Sequence, residues 1–149
     1  MDLQKDFLAT QIIFFGLLMG VISFCGVTLF ITDSPYFSIE TTLFTWISII
    51  MSMGSITASA FFFRSLTNKL TKEDDLIEKL NTYRTAKIIS WAFIEGVMLF
   101  NIVIFFVIEN NYLYLCILGL LLFVFLTKAP LKSKLLTEAK LTEEEIKML

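Results

Sequence analysis

The feature that most constrains this chain is an apolar run from Ala86 to Ile108 that contains one carboxylate, Glu95. A helix rises about 1.5 Å per residue, so Glu95 lies about 12 Å along the helix from Lys87, near the middle of a hydrocarbon layer about 30 Å thick. An ionised carboxylate at that depth costs several kcal/mol. We therefore expect Glu95 to be protonated, to bond to neighbouring helices or to face a hydrated cavity.

The composition of the chain is that of a membrane protein. Hydrophobic residues make up 56% of the 149 residues and charged residues 17%, a balance that a soluble domain with a charged surface does not show. The apolar residues fall into four segments of a length suited to crossing a bilayer. These predicted spans cover residues 9–32, 41–63, 86–108 and 111–128.

The positions of the lysines and arginines predict the orientation of these spans. All 12 occur in the first six residues, in the segment 64–87 or after residue 127. The positive-inside rule then places the 64–85 loop, the 130–149 tail and the N-terminus in the cytoplasm. The prediction is a single all-α integral membrane domain, with four transmembrane helices as two antiparallel hairpins, in a bacterial cytoplasmic membrane.

Small residues recur along the first predicted span. Gly16, Gly20 and Ser23 are spaced by four and then three residues, which places them on one face of a helix. Such a strip lets the backbone of another helix approach closely. The alternative is that glycine is simply common in membrane helices.

Hydroxyl side chains form a stripe along the second predicted span. The stripe has alternating spacings of four and three residues, and it consists of Thr41, Thr45, Ser48, Ser52, Ser55 and Ser59. One face of this helix is therefore polar along most of its length. We interpret it as a helix-packing face whose hydroxyls also bond to carbonyls one turn earlier. The alternative is the lining of an ion or water path.

Depth in an antiparallel hairpin predicts which of these hydroxyls meet Glu95. Counting eight residues from the shared loop along each helix pairs Glu95 with Ile56. Ser55 is then the first candidate as hydrogen-bond partner and ion-binding helper of the carboxyl group, followed by Ser52 and Ser59.

The segment from Lys79 to Asn111, KLNTYRTAKIISWAFIEGVMLFNIVIFFVIENN, carries a family resemblance. A polar loop leads into an outward-running helix with a mid-membrane acid, and in this it resembles the outer helix of the proteolipid (c) subunits of rotary ATPases. The resemblance covers the second and third predicted helices. It implies that Glu95 carries a proton or sodium ion with help from Ser55 or Ser59, and that copies of the chain assemble into a ring.

Two functions remain open at this point. The first is a non-enzymatic helix-packing protein, either a homo-oligomer or an accessory subunit of a membrane complex, in which Glu95 is a buried packing residue. The second is a proton- or cation-coupled carrier or channel that uses Glu95 and the hydroxyl stripe.

Enzymatic, metal-dependent and nucleic-acid functions are not expected. The chain has no histidine, its two cysteines, Cys25 and Cys116, lie in apolar runs, and no acidic cluster occurs at metal-ligand spacing within the spans. The basic residues alternate with acids, so they indicate membrane topology rather than nucleic-acid binding. We therefore expect no cofactor and no metal, and the expected partners are the lipid bilayer and other membrane helices.

Overall fold

The structure is a computed structural model that describes residues 3–39, 42–70 and 75–142. These ranges are helical throughout apart from connections, and they contain no β-strand. The helices are α1 (Leu3–Ile31), α2 (Leu43–Thr67), α3 (Leu76–Ile104), α4 (Tyr112–Thr127) and α5 (Lys132–Glu138), and one π-helical turn, Phe105–Glu109, continues α3. The helices α1, α2 and α3 are long and apolar enough to cross a membrane, and α4 is a shorter apolar helix. The chain is therefore an all-helical membrane protein.

The helix boundaries differ most from prediction in the polar 64–85 segment. The helix α2 continues to Thr67 and α3 already begins at Leu76, so much of this predicted loop is helical. The reason is that Leu80 and Tyr83 are buried against Leu135 of α5, which gives this polar segment an apolar face to pack. Thr41, residues 71–74 of the predicted loop and residues 143–149 of the predicted tail lie outside the described residues.

The centre of the bundle is α3, which packs against α1, α2 and α4. An aromatic cluster joins three of these helices: the Phe14 ring centroid of α1 lies 5.1 Å from that of Trp91 in α3 and 4.9 Å from that of Phe125 in α4. All three rings are buried. Lipid tails are as apolar as these side chains, so close packing rather than escape from water holds the cluster together.

The structure departs from the predicted arrangement of two hairpins of sequential neighbours. The helix α1 packs chiefly against α3, and α1 with α2 is not among the closely packed pairs. The connection 32–42 makes this possible, because an extended chain spans roughly 3.3 Å per residue and a helix is only about 10 Å wide.

The described part of this connection, residues 32–39, pairs with the turn between α3 and α4. The amide of Tyr112 donates a hydrogen bond to the carbonyl oxygen of Tyr36 at 2.9 Å, and the amide of Tyr36 donates to the carbonyl oxygen of Asn110 at 3.1 Å. We call this end of the bundle, where the two connections meet, the turn end.

Asn111 strengthens this junction with its side chain. Its Nδ2 donates to the carbonyl oxygen of Ser38 at 2.9 Å, and its Oδ1 accepts from the amide of Leu113 at 3.0 Å, which caps the start of α4. The side chain is 2% exposed, so the junction has a buried polar centre.

Substituting Asn111→Ala is expected to lower the free energy of unfolding by about 1–3 kcal/mol, because it removes hydrogen bonds to partly buried backbone groups of Ser38 and Leu113. Unfolding in lipid nanodiscs, followed by tryptophan fluorescence against denaturant, measures the change. The matched control is Asn81→Ala, since Asn81 is exposed on α3. Equal stability of the two variants would contradict a structural role for the Asn111 side chain.

Candidate functional site

The hydroxyl stripe of α2 faces the bundle interior. Ser59 and Ser90 hydroxyl oxygens lie 2.6 Å apart, and the Ser48 hydroxyl donates to Oδ1 of Asn101, whose Nδ2 donates to the carbonyl oxygen of Val97 at 2.8 Å. All four hydrogen-bonding side chains are buried. The interface between α2 and α3 is therefore polar at two levels, and we call this hydroxyl-lined contact the polar seam.

The middle of the polar seam bonds differently. The Ser55 hydroxyl donates to the carbonyl oxygen of Ser52 at 2.9 Å, within its own helix. The Ser52 hydroxyl is buried and has no hydrogen-bond partner among the described residues. Nearer the turn end, Thr45 and Tyr114 hydroxyl oxygens lie 3.3 Å apart, which links the seam to α4.

The register of α2 against α3 differs by two residues from the predicted one. Because Ser59 bonds to Ser90, the residue of α2 level with Glu95 is Gly54 rather than Ile56. The predicted register assumed that Arg64 and Lys87 lie at the same depth in the membrane.

The rotation of α3 also separates Glu95 from the serines. Glu95 is five residues beyond Ser90, which is about 140° around a helix of 3.6 residues per turn. The structure accordingly contains no hydrogen bond between Glu95 and Ser52, Ser55 or Ser59. The structure does not show the expected hydrogen bond between Glu95 and Ser55, because equal depth does not ensure that two side chains face each other.

Glu95 lies at the edge of an uncovered side of the central helix. Its side chain is half-buried and has no hydrogen bond or ion pair within the described residues. The neighbouring Ala92 and Gly96 are exposed, and a Cβ atom built on Gly96 would meet no heavy atom within 4 Å. We call this surface the open face of α3; it comprises Ile89, Ala92, Gly96 and Val103, with Glu95 at its edge.

The small-residue strip of α1 is also uncovered. Gly16, Gly20 and Ser23 are exposed, whereas Phe14 and Val21 of the same helix are buried in the bundle. A Cβ atom on either glycine would meet nothing within 4 Å. The strip therefore packs against no other described helix of this chain.

A cluster of charged groups holds the other end of the bundle, which we call the basic end. Lys87 Nζ lies 2.8 Å from Oε2 of Glu138, and Lys128 Nζ donates to the Ser59 hydroxyl at 2.8 Å. The indole Nε1 of Trp91 donates to the carbonyl oxygen of Lys128 at 3.2 Å. The cluster therefore ties α2 and α3 to the C-terminal segment that contains α5.

The ammonium group of Lys87 is almost fully enclosed. It lies 4.7 Å above the Phe63 ring centroid and 5.3 Å from that of Tyr83, which adds cation–π attraction to the ion pair. For Lys128, the first residue after α4, burial and the charge of Lys87 lower the pKa, whereas the Glu138 carboxylate raises it. Glu138 is thus the group that favours the charged form of Lys128.

Sequence reasoning did not identify this cluster. Lys87 and Lys128 served there as signals of topology and depth, and Glu138 was not singled out. Pairing across 51 residues of sequence leaves no periodic signal, and it requires the position of α5 to be known.

The described ranges bring together no three His, Cys, Asp or Glu side chains that could hold a metal ion. Comparisons of the chain with protein-family profiles, curated protein sequences and solved structures gave no match. The resemblance to the proteolipid subunits therefore stays a prediction. The serines that it implies as helpers of Glu95 belong to α2. This helix packs against a different side of α3 from the one that carries Glu95.

Substituting Glu138→Gln is expected to destabilise the protein by about 1–3 kcal/mol. This is less than the 3–5 kcal/mol typical of a fully buried pair, because the Glu138 side chain is 25% exposed. Without the carboxylate, Lys87 stays buried beside Lys128 with no counter-charge. Unfolding in nanodiscs measures the change.

The matched control is Glu78→Gln, since Glu78 is exposed on α3. Proteolysis between α4 and α5 supplies a second readout, and it should accelerate only in the Glu138→Gln variant. Unchanged stability and unchanged proteolysis would contradict a structural role for the ion pair.

Proposed function

We propose that this chain is a non-enzymatic integral membrane protein that acts by binding other membrane helices through the open face of α3. The observation that carries this proposal is Glu95, a carboxyl group within a membrane-spanning helix that has no partner within the described residues. The bound helices belong either to further copies of this chain or to other subunits of a membrane complex.

The chemistry of the open face supports helix association. A protonated carboxyl group has one donor and free acceptor positions, and hydrocarbon offers it no partner. A hydrogen bond between membrane helices contributes roughly 0.6–2 kcal/mol. Ala92 and Gly96 add the close backbone approach that small residues permit, and a groove of about 260 Å³ at Ile89, Ala92 and Phe93 leaves room for a side chain of the bound helix.

Self-association is the simplest form of this proposal. A twofold dimer uses the same face on both subunits, so the two Glu95 carboxyls would meet near the symmetry axis, each able to donate and to accept. A carrier that combines Glu95 with the hydroxyl stripe is less well supported. The stripe faces the interior of the bundle, whereas Glu95 lies at the outer edge of the bundle.

The proposed orientation places both termini in the cytoplasm and all four apolar helices across a bacterial inner membrane. The basic end carries the lysine and arginine side chains of the described residues, which supports this orientation through the positive-inside rule. The helix α4 is about 24 Å long, and local thinning of the bilayer accommodates the difference from about 30 Å.

Substituting Glu95→Leu is expected to lower the association constant in lipid vesicles by about three- to thirtyfold, whereas Glu95→Gln should retain most of the association because the amide still donates and accepts. Single-molecule photobleaching across a dilution series in lipid measures the oligomeric state. Met53→Leu is the control, because Met53 is exposed on α2 at nearly the same depth.

Disulfide crosslinking locates the face that is used. In a chain with Cys25 and Cys116 replaced by serine, Ala92→Cys should crosslink between copies, and Met53→Cys should not. Crosslinking through Ser23→Cys instead would assign association to the α1 strip. Monomers at every density, together with no membrane subunit co-purifying in a Glu95-dependent manner, would reject the proposal.

The orientation has its own test. In the same cysteine-free background, Lys69→Cys should react with a membrane-impermeant maleimide in inverted membrane vesicles and not in intact cells with a permeabilised outer membrane. Labelling in intact cells and not in inverted vesicles would contradict the proposed orientation.

A further inference from the structure

A groove lies on the outer surface of α2 near the basic end. Its volume is about 650 Å³, which is within the range of roughly 300–1,000 Å³ found for ligand pockets. Its lining includes Ile56, Ala60, Phe61, Arg64, Ser65 and Asn68. The groove is separate from the polar seam and from the open face of α3.

The polarity of the groove changes along its length. Ile56, Ala60 and Phe61 form the part that lies among the apolar residues of α2, and Arg64, Ser65 and Asn68 form the part near the end of the helix. Twelve residues separate Ile56 from Asn68, which is about 18 Å along a helix. A ligand for this groove therefore has an apolar part in the hydrocarbon and a polar part at the membrane surface.

Arg64 supplies a positive charge at the polar end of the groove. Its side chain is exposed, and within the described residues it has no ion pair, hydrogen bond or ring contact. This differs from Lys87 of the same end, which is paired with Glu138. The groove thus favours a ligand with negative charge at its polar end.

We propose that this groove binds one anionic glycerophospholipid, whose phosphate contacts the Arg64 guanidinium and whose acyl chain lies along Ile56, Ala60 and Phe61. A guanidinium bonds to phosphate through two parallel N–H groups, and juxtamembrane cations bind anionic headgroups. Ser65 and Asn68 add polar groups at the level of the glycerol and headgroup. A soluble phosphate compound would leave the apolar half of the groove unused.

The test uses native mass spectrometry of the full-length protein in detergent, titrated separately with phosphatidylglycerol, phosphatidylcholine and soluble glycerophosphoglycerol. Phosphatidylglycerol should bind with about fivefold higher affinity than phosphatidylcholine, the difference expected from one cation at a membrane surface. Arg64→Ala should abolish this preference, whereas Arg64→Lys should retain part of it.

Two further variants separate the groove from general charge. Lys132→Ala removes one exposed positive charge of α5 and should leave the preference unchanged. Thr57 also lines the groove, is exposed, and donates its hydroxyl to the Met53 carbonyl oxygen of its own helix. Thr57→Phe places a ring beside the apolar part of the groove without changing charge, and it should weaken binding of both lipids. Equal loss of preference in Lys132→Ala and Arg64→Ala, or tight binding of glycerophosphoglycerol alone, would overturn the proposal.

Discussion

Polar groups inside a hydrocarbon layer must find their hydrogen-bond partners within protein, and this constraint sets the position of α3. Ser48 bonds to Asn101 and Ser59 to Ser90, and each pair is separated from the other by eleven residues on both helices. Eleven residues are close to three whole turns, so the two contacts fix the register and also the rotation of α3 against α2. That rotation turns Trp91 toward α1 and α4, and it leaves Glu95 at the outer edge.

At the basic end, the same constraint applies to charged side chains. The Lys87 side chain is 3% exposed and forms an ion pair with Glu138 of α5. Apolar contacts of Leu135 with Tyr83 and Leu80 support this position. Segment 128–142 is therefore part of the folded bundle. The charge pattern that predicts the membrane topology also supplies the groups that hold this segment in place. Arg64 and Glu95 are two charged or ionisable residues outside this internal pairing.

The sequence was sufficient for the features that depend on local pattern. Long apolar runs predicted the helices, and the spacing of hydroxyls predicted that Ser48 and Ser59 share one face of α2. It was insufficient where the outcome depends on packing between distant segments. The pairing of Lys87 with Glu138 has no periodic signature in the sequence. The neighbours of α1 depend on the path of the chain between α1 and α2. The separation of Glu95 from Ser55 depends on the rotation of α3 about its axis, which cannot be obtained by counting residues.

The junction at Tyr36, Tyr112 and Asn111 has a mechanical consequence. At the turn end, backbone hydrogen bonds and a buried amide join the connection after α1 to the turn between α3 and α4. At the basic end, side chains make the corresponding links: Lys128 donates to Ser59 of α2, and Phe7 of α1 packs in a cluster with residues of α3 and α5. The two ends of the bundle are therefore held by different kinds of contact. Loss of the side-chain contacts at the basic end would leave the backbone pairing at the turn end intact.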